Sequence, residues 1–283
     1  MAEDAEHQLR AYVEYFRDMG IYDFYRRGES VAIEAEEQHA TVLAEPPALK
    51  VAPAVPVAPP SPPINIFEEP VIPKLVGFNE LAPLPQDRIA ASDRAAALRV
   101  IQEEIGDCTR CPLAYAGRHK VVFGDGNPTA RLMFVGEGPG ADEDMQGLPF
   151  VGKAGQLLNN MIGAMGLKRE EVYIANIVKC RPPSNRVPEI VEANTCSPFL
   201  LRQIDVVQPE VIVALGSTAA TYLLGVKQSL ASLRGKWHSC RGAKLAVTYH
   251  PAFLLRDPRQ KGEAWKDLQM VMAEMGLKAG AKG

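Results

Sequence analysis

No run of about 18 or more apolar residues interrupts the sequence, so no segment is long and greasy enough to be read as a membrane-spanning helix. The amino end, Met-Ala-Glu-Asp-Ala-Glu-His, lacks the basic-then-apolar order of a secretory signal, so the expectation is a protein of the cytoplasm or nucleoid with no membrane partner. Cysteine is scarce and odd in number: five in 283 residues. Without export signals, that excludes a disulfide framework and leaves metal ligation or burial to explain them. Net charge is also small, at −3. What is abundant is apolar content, 47%, enough to bury a core.

The charge is unevenly spread. Before Ala95 there are 8 Lys/Arg against 16 Asp/Glu, and from Ala95 onward 23 against 18. A mildly basic carboxyl-terminal part can meet phosphates, whereas the acidic amino-terminal part is repelled by them. Within the acidic part, Leu9, Tyr12, Val13, Phe16, Met19 and Tyr22 recur at helical spacing, which predicts an amphipathic helical segment over 1–30. Alone it cannot bury its apolar face, so a docking partner protein is expected for it. Ten prolines between Pro46 and Pro73 favour extended chain and forbid a packed core. The span 31–94 therefore reads as a largely disordered linker, and 95–283 as the folded domain.

From Ala95 the pattern alternates. Helical stretches are predicted over Ala95–Ile105, Ala154–Met165 and Pro188–Val206, and from Ser217 and Glu263. Between them lie short apolar strands at Arg131–Val135, Val172–Val178, Val211–Leu215 and Leu245–Tyr249. The fold class this predicts is α/β: a three-layer α/β/α sandwich around a four-stranded parallel sheet. Ligand sites in such sheets lie beyond the carboxyl ends of the strands, here 136–144, 179–186, 216–218 and 250–256. Cys108 and Cys111 form a C-x2-C pair, and Cys180 and Cys196 supply two more thiols from distant positions. Four such thiols suit zinc or an iron–sulfur cluster equally. Cys240 has no partner at motif spacing and reads as a core residue.

Six motifs occur in one order: Cys-Thr-Arg-Cys-Pro-Leu at 108, Gly-Glu-Gly-Pro-Gly-Ala-Asp-Glu-Asp at 136, Gly-Leu-Pro-Phe-Val-Gly-Lys-Ala-Gly at 147, Asn-Ile-Val-Lys-Cys-Arg-Pro-Pro at 176, Arg-Gly-Lys-Trp at 234 and His-Pro-Ala-Phe-Leu-Leu-Arg at 250. In these the chain resembles the family-four, iron–sulfur uracil-DNA glycosylases, from about Ala95 to Leu277. The resemblance implies base excision repair: uracil is flipped from DNA and its N-glycosidic bond is hydrolysed, leaving an abasic site. It also implies a structural [4Fe-4S] cluster on Cys108, Cys111, Cys180 and Cys196, and a protein that acts as a monomer on uracil-containing DNA.

By the same resemblance, Gly136, Gly138, Glu137 and Glu143 wall the uracil pocket, Phe150 stacks on the base and Asn176 reads it. His250 is the electrophile at uracil O2, and Glu137 orients water or stabilises the cationic sugar. Leu254 and Leu255 enter the gap left by the flipped nucleotide while Arg256 meets a phosphate. Without the motifs each residue has a plainer reading: a buried Phe as core, an Asn as a turn residue, a His as a satisfied core residue, the leucines as core. A phosphate loop is disfavoured at Gly136, Gly138 and Gly140, because Asp142, Glu143 and Asp144 would face the pyrophosphate. Asp142 or Asp144 reads equally as a helix cap. The competing functions are a non-catalytic, metal-containing nucleic-acid-binding module and a zinc protein of the same fold.

Overall fold

Strands of four to six apolar residues form the parallel centre of one sheet in the computed structural model, which describes residues 74–279. The helix expected within 1–30 and the proline-rich stretch to 73 lie outside the described residues. In chain order the elements are α1 (Phe78–Leu81), α2 (Arg94–Ile105), β1 (Asp125–Gly126), β2 (Leu132–Gly136), α3 (Ala141–Gln146), α4 (Lys153–Ala164), β3 (Tyr173–Asn176), α5 (Ile190–Val207), β4 (Val211–Leu215) and α6 (Ser217–Leu224). They continue with α7 (Leu230–Leu233), β5 (His238–Cys240), β6 (Ala243–Thr248), α8 (Pro251–Arg256) and α9 (Lys261–Met275). Among the described residues no helix is long and apolar enough to cross a membrane.

Sheet order is β1-β3-β2-β4-β6-β5. The central pairs β2–β3, β2–β4 and β4–β6 are parallel, as the apolar runs predict. The two edges, β1 on β3 and β5 on β6, are antiparallel and were not expected. Strands of two and three residues are too short to show an alternating pattern, so the four-stranded expectation becomes a six-stranded sheet. Successive side chains point to opposite faces. Met133, Val135, Ile212, Ala214, Leu245 and Val247 face α2, α5 and α6 through Leu98, Ile101, Leu200, Ile204 and Leu223. Leu132, Phe134, Ile174, Val213 and Ala246 face α4 and α9 through Leu158, Ile162, Leu268 and Val271. Both faces are thus dry, which explains why the strands read as continuous apolar runs.

The domain starts earlier than Ala95. Phe78 is fully buried in the α2/α5/α6 layer. Gly77 lies so close to the end of α6 that a Cβ there would stand 2.8 Å from the Leu224 carbonyl carbon. Asn79 accepts a hydrogen bond from Arg241 N at 2.7 Å, and Arg241 donates to Pro83 O at 3.0 Å while pairing with Asp205 at 2.6 Å. Residues 74–94 are therefore a strap on the core, which corrects the linker expectation for that part. One Phe among prolines and polar residues carries no periodic signal by which a sequence reading could find it.

Candidate functional site

Parallel connections bring the carboxyl ends of β2, β3, β4 and β6 to one edge of the sheet, where a cleft of about 600 Å³ opens. Glu137, Gly138, Glu143, Phe150, Asn176, His250 and Arg256 all line it. Six expected residues from four separate segments of chain thus meet at one place with Arg256 at its rim. Gly136 lies directly behind them.

Asn176 is the last residue of β3 and only 2% exposed, yet its amide oxygen has no hydrogen-bond partner. Buried polar atoms are nearly always paired, and one left open costs about 1–3 kcal/mol. Opposite it in the ladder is Gly136. A Cβ at Gly136 would stand 2.4 Å from that amide oxygen and 2.5 Å from Phe150 Cζ, so only glycine leaves room for both.

Phe150 is buried with φ +52°, a left-handed conformation that costs a residue with a side chain about 1–3 kcal/mol. Its ring lies 5.5 Å from that of His250, tilted by 33°. His250 caps α8: its Nδ1 accepts from Ala252 N at 3.1 Å. An accepting Nδ1 leaves the ring proton on Nε2. Burial, reinforced by the nearby charge of Arg256, pushes the His250 pKa down to about 4, so the ring is a neutral donor at physiological pH. Burial raises the pKa of Glu137, with the Thr218 hydroxyl opposing it by a hydrogen bond.

Two expected roles change. Glu143 lines the cleft, but its carboxylate is engaged: Oε2 accepts from Gly140 N at 3.0 Å, and Oε1 from Val151 N at 3.0 Å and Gly152 N at 3.3 Å. It closes the capping box of α3 and braces the Phe150 loop. The capping considered for Asp142 or Asp144 thus falls to Glu143, while buried Asp144 accepts from His119 N at 2.9 Å and His119 Nδ1 at 2.7 Å. Leu254 is 1% exposed and Leu255 43%. Adjacent residues on a helix point about 100° apart, so α8 turns Leu254 into the core and leaves Leu255 exposed. Tyr249 and Phe253, stacked at 5.2 Å, also line the cleft and were missed, because an aromatic beside a strand end is indistinguishable from core in sequence.

The four expected cysteines line a second, smaller cleft. Cys108 and Cys111 flank the turn after α2, Cys180 follows β3 and Cys196 sits in α5. Burial pushes the thiols of Cys180 and Cys196 up to about 12 and about 11, and raises that of Cys111. Cations nevertheless crowd them. Lys179 donates its backbone N–H to Cys196 Sγ at 3.3 Å, and its fully buried ammonium meets only neutral acceptors, Asn176 O at 3.0 Å and Gln203 Oε1 at 2.6 Å. Exposed Arg110 donates to Cys108 Sγ at 3.5 Å, and the buried Arg118 side chain donates to Cys108 O at 2.7 Å while pairing with Asp107 at 2.6 Å. Of these only Lys179 is a buried cation without a carboxylate partner, and such a charge calls for nearby negative charge, which thiolates on a metal centre would supply and neutral thiols would not. Cys240 stands apart, buried in β5 at the other end of the sheet.

Residues 123–269 match the family model described as the uracil DNA glycosylase superfamily. A type-4 uracil-DNA glycosylase of Thermotoga maritima is 46% identical over 166 residues, 58% of this chain and 86% of that protein. Its namesakes in Pyrobaculum aerophilum and Saccharolobus solfataricus are each 42% identical, over 61% and 64% of this chain and 92% and 88% of theirs.

Proposed function

The chain belongs to the uracil DNA glycosylase superfamily, in its type-4 branch, and from that premise we propose how its own residues remove uracil from DNA. The observation that carries the proposal is the open amide oxygen of Asn176 at the wall of the cleft. Uracil presents N3–H, a donor, and O4, an acceptor, so one amide plane can accept from the first and donate to the second. Cytosine presents the reverse pattern and would leave both amide groups unpaired, at about 1–3 kcal/mol each. Because the cleft cannot be reached by a stacked base, the nucleotide must be flipped. Phe150 is placed to stack on it, and Leu255 is placed to fill the vacated gap while Arg256 meets a phosphate.

As the bond between C1′ and N1 breaks, negative charge grows on the departing uracil and positive charge on the sugar. Neutral His250, with its proton on Nε2, donates to uracil O2 and stabilises the anion without giving up a full proton. One preorganised donor of this kind contributes about 3 to 4 kcal/mol. Glu137, between the cleft and Thr218, holds the attacking water or faces the sugar cation.

Cys108, Cys111, Cys180 and Cys196 fit a [4Fe-4S] cluster. The buried Lys179 ammonium, which has no carboxylate partner and whose backbone N–H donates to Cys196 Sγ, suits anionic thiolates. A cluster held there would tie the turn after α2, the segment after β3 and α5 to one centre, a structural role. As a DNA repair enzyme the chain would work as a monomer in the cytoplasm, at the nucleoid, with the segment over 1–30 left to dock a partner protein.

Free uracil released from a uracil-containing oligonucleotide, followed by alkaline scission at the abasic site, tests this reading. Release is expected from uracil and none from cytosine. Asn176→Asp is expected to weaken release, because a carboxylate opposes O4 and repels a leaving group that is becoming an anion. Binding without release would instead identify a non-catalytic nucleic-acid module.

A further inference from the structure

The loop that carries Phe150 is gripped on both sides. Glu143 receives the N–H groups that follow Phe150, at Val151 and Gly152. On the carbonyl side stands Arg169, from the 3-10 turn Arg169–Glu171 that leads into β3. Its Nη2 donates to Pro149 O at 2.6 Å and its Nη1 to Phe150 O at 3.1 Å. The fork is itself oriented by Asn159 Oδ1 of α4 at 3.0 Å and by Asp125 Oδ2 of β1 at 3.4 Å. At Gly155, a Cβ would lie 1.9 Å from Phe150 O, so only glycine there lets that carbonyl pack against α4. The guanidinium does not line the cleft. Nothing about its charge demands this place, since its one acidic neighbour is part-exposed and such pairs contribute little. What the side chain accomplishes is to satisfy two successive carbonyls around a residue whose φ is +52°.

We propose that Arg169 is a positioning residue for uracil excision: its fork fixes the carbonyls of Pro149 and Phe150, and so sets the plane of the ring on which the base stacks. This rests on the reading of Phe150 as the stacking residue. A planar fork matches two carbonyls at once, whereas an ammonium offers no such geometry. Displacing a positioning group by about 1 Å can cost on the order of a hundredfold in rate.

The test is a double-mutant cycle between Arg169→Gln and Phe150→Ala, read as single-turnover uracil release from the full chain, with Tm as the folding control. Arg169→Gln alone is expected to slow release roughly ten- to a hundredfold, with Arg169→Lys in between. In the Phe150→Ala background the same change is expected to cost less than about twofold, because the effect has no ring left to act through. A purely structural role would give losses that multiply, and that result overturns the proposal. So does a folded Arg169→Gln protein with wild-type rate while Phe150→Ala is damaged. If Phe150→Ala itself releases uracil at full rate, the stacking reading fails and takes the proposal with it. Should Arg169→Gln not fold, Arg169→Lys is carried through the same cycle and judged by the same coupling.

Discussion

His250 and Glu137 share one cause of their unusual acidity: burial disfavours the charged form, which lowers the pKa of a base and raises that of an acid. The pH dependence follows with its sign. His250 falls from 6.5 to about 4, so it binds fewer protons folded than unfolded. Its contribution to stability is complete above 6.5 and is lost as pH falls towards 4, while the folded imidazole is mostly neutral until pH nears 4. Glu137 lies above its ordinary 4.5, so it protonates early on acidification. An acid limb in kcat/KM with a midpoint above 4.5 is therefore expected, and it should vanish in Glu137→Gln. A limb that persists unchanged in that variant removes Glu137 from the ionised role. At this scale the meeting of Asn176, Phe150, Glu137 and His250 at one cleft was legible, because they sit in motifs that follow the central strands. The contacts of Glu143, Leu254 and Arg169 were not legible, since which way a carboxylate, a leucine or a guanidinium points depends on the turn beneath it.

Elements explain why the site exists where it does. The four central strands announce themselves as apolar runs because both faces are covered, and three of their carboxyl ends deliver Glu137, Asn176 and His250. Less visible were α3, whose six residues carry three acids and no apolar stripe, and the edge strands β1 and β5. Cys180 lies only four residues beyond Asn176, on the same loop, with buried Lys179 between them holding the Asn176 carbonyl. Losing that thiol is expected to loosen the base reader along with the cluster. Cys180→Ala should lose the visible absorbance of an iron–sulfur centre and show a lower Tm, with uracil release falling as a consequence. A stable, fully active protein without visible absorbance would contradict a structural cluster.

For the whole molecule, the question is how the acidic amino-terminal part relates to the domain. None of the six motifs lies before Cys108, and the residues before Ala95 carry 16 acidic against 8 basic side chains, a balance that opposes DNA. Removing residues 1–73 while keeping the strap around Phe78 should leave uracil release within a few fold. A cut at Ala95, the boundary composition suggests, should lower Tm by stripping Phe78 from the core. A large loss of rate on removing 1–73 alone would refute the separation of roles.

The domain itself divides its work between a surface that holds DNA and a cleft that breaks the bond, and His250→Ala separates the two. Single-turnover uracil release and DNA affinity should be measured together on the folded, cluster-loaded variant, because alanine at the cap of α8 can loosen the following helix. The expected result is a rate lower by roughly a hundred- to a thousandfold with affinity little changed, as befits loss of a donor to the leaving group. A near wild-type rate, or rate and affinity falling together, would contradict the assignment of His250 as the group that stabilises the departing uracil.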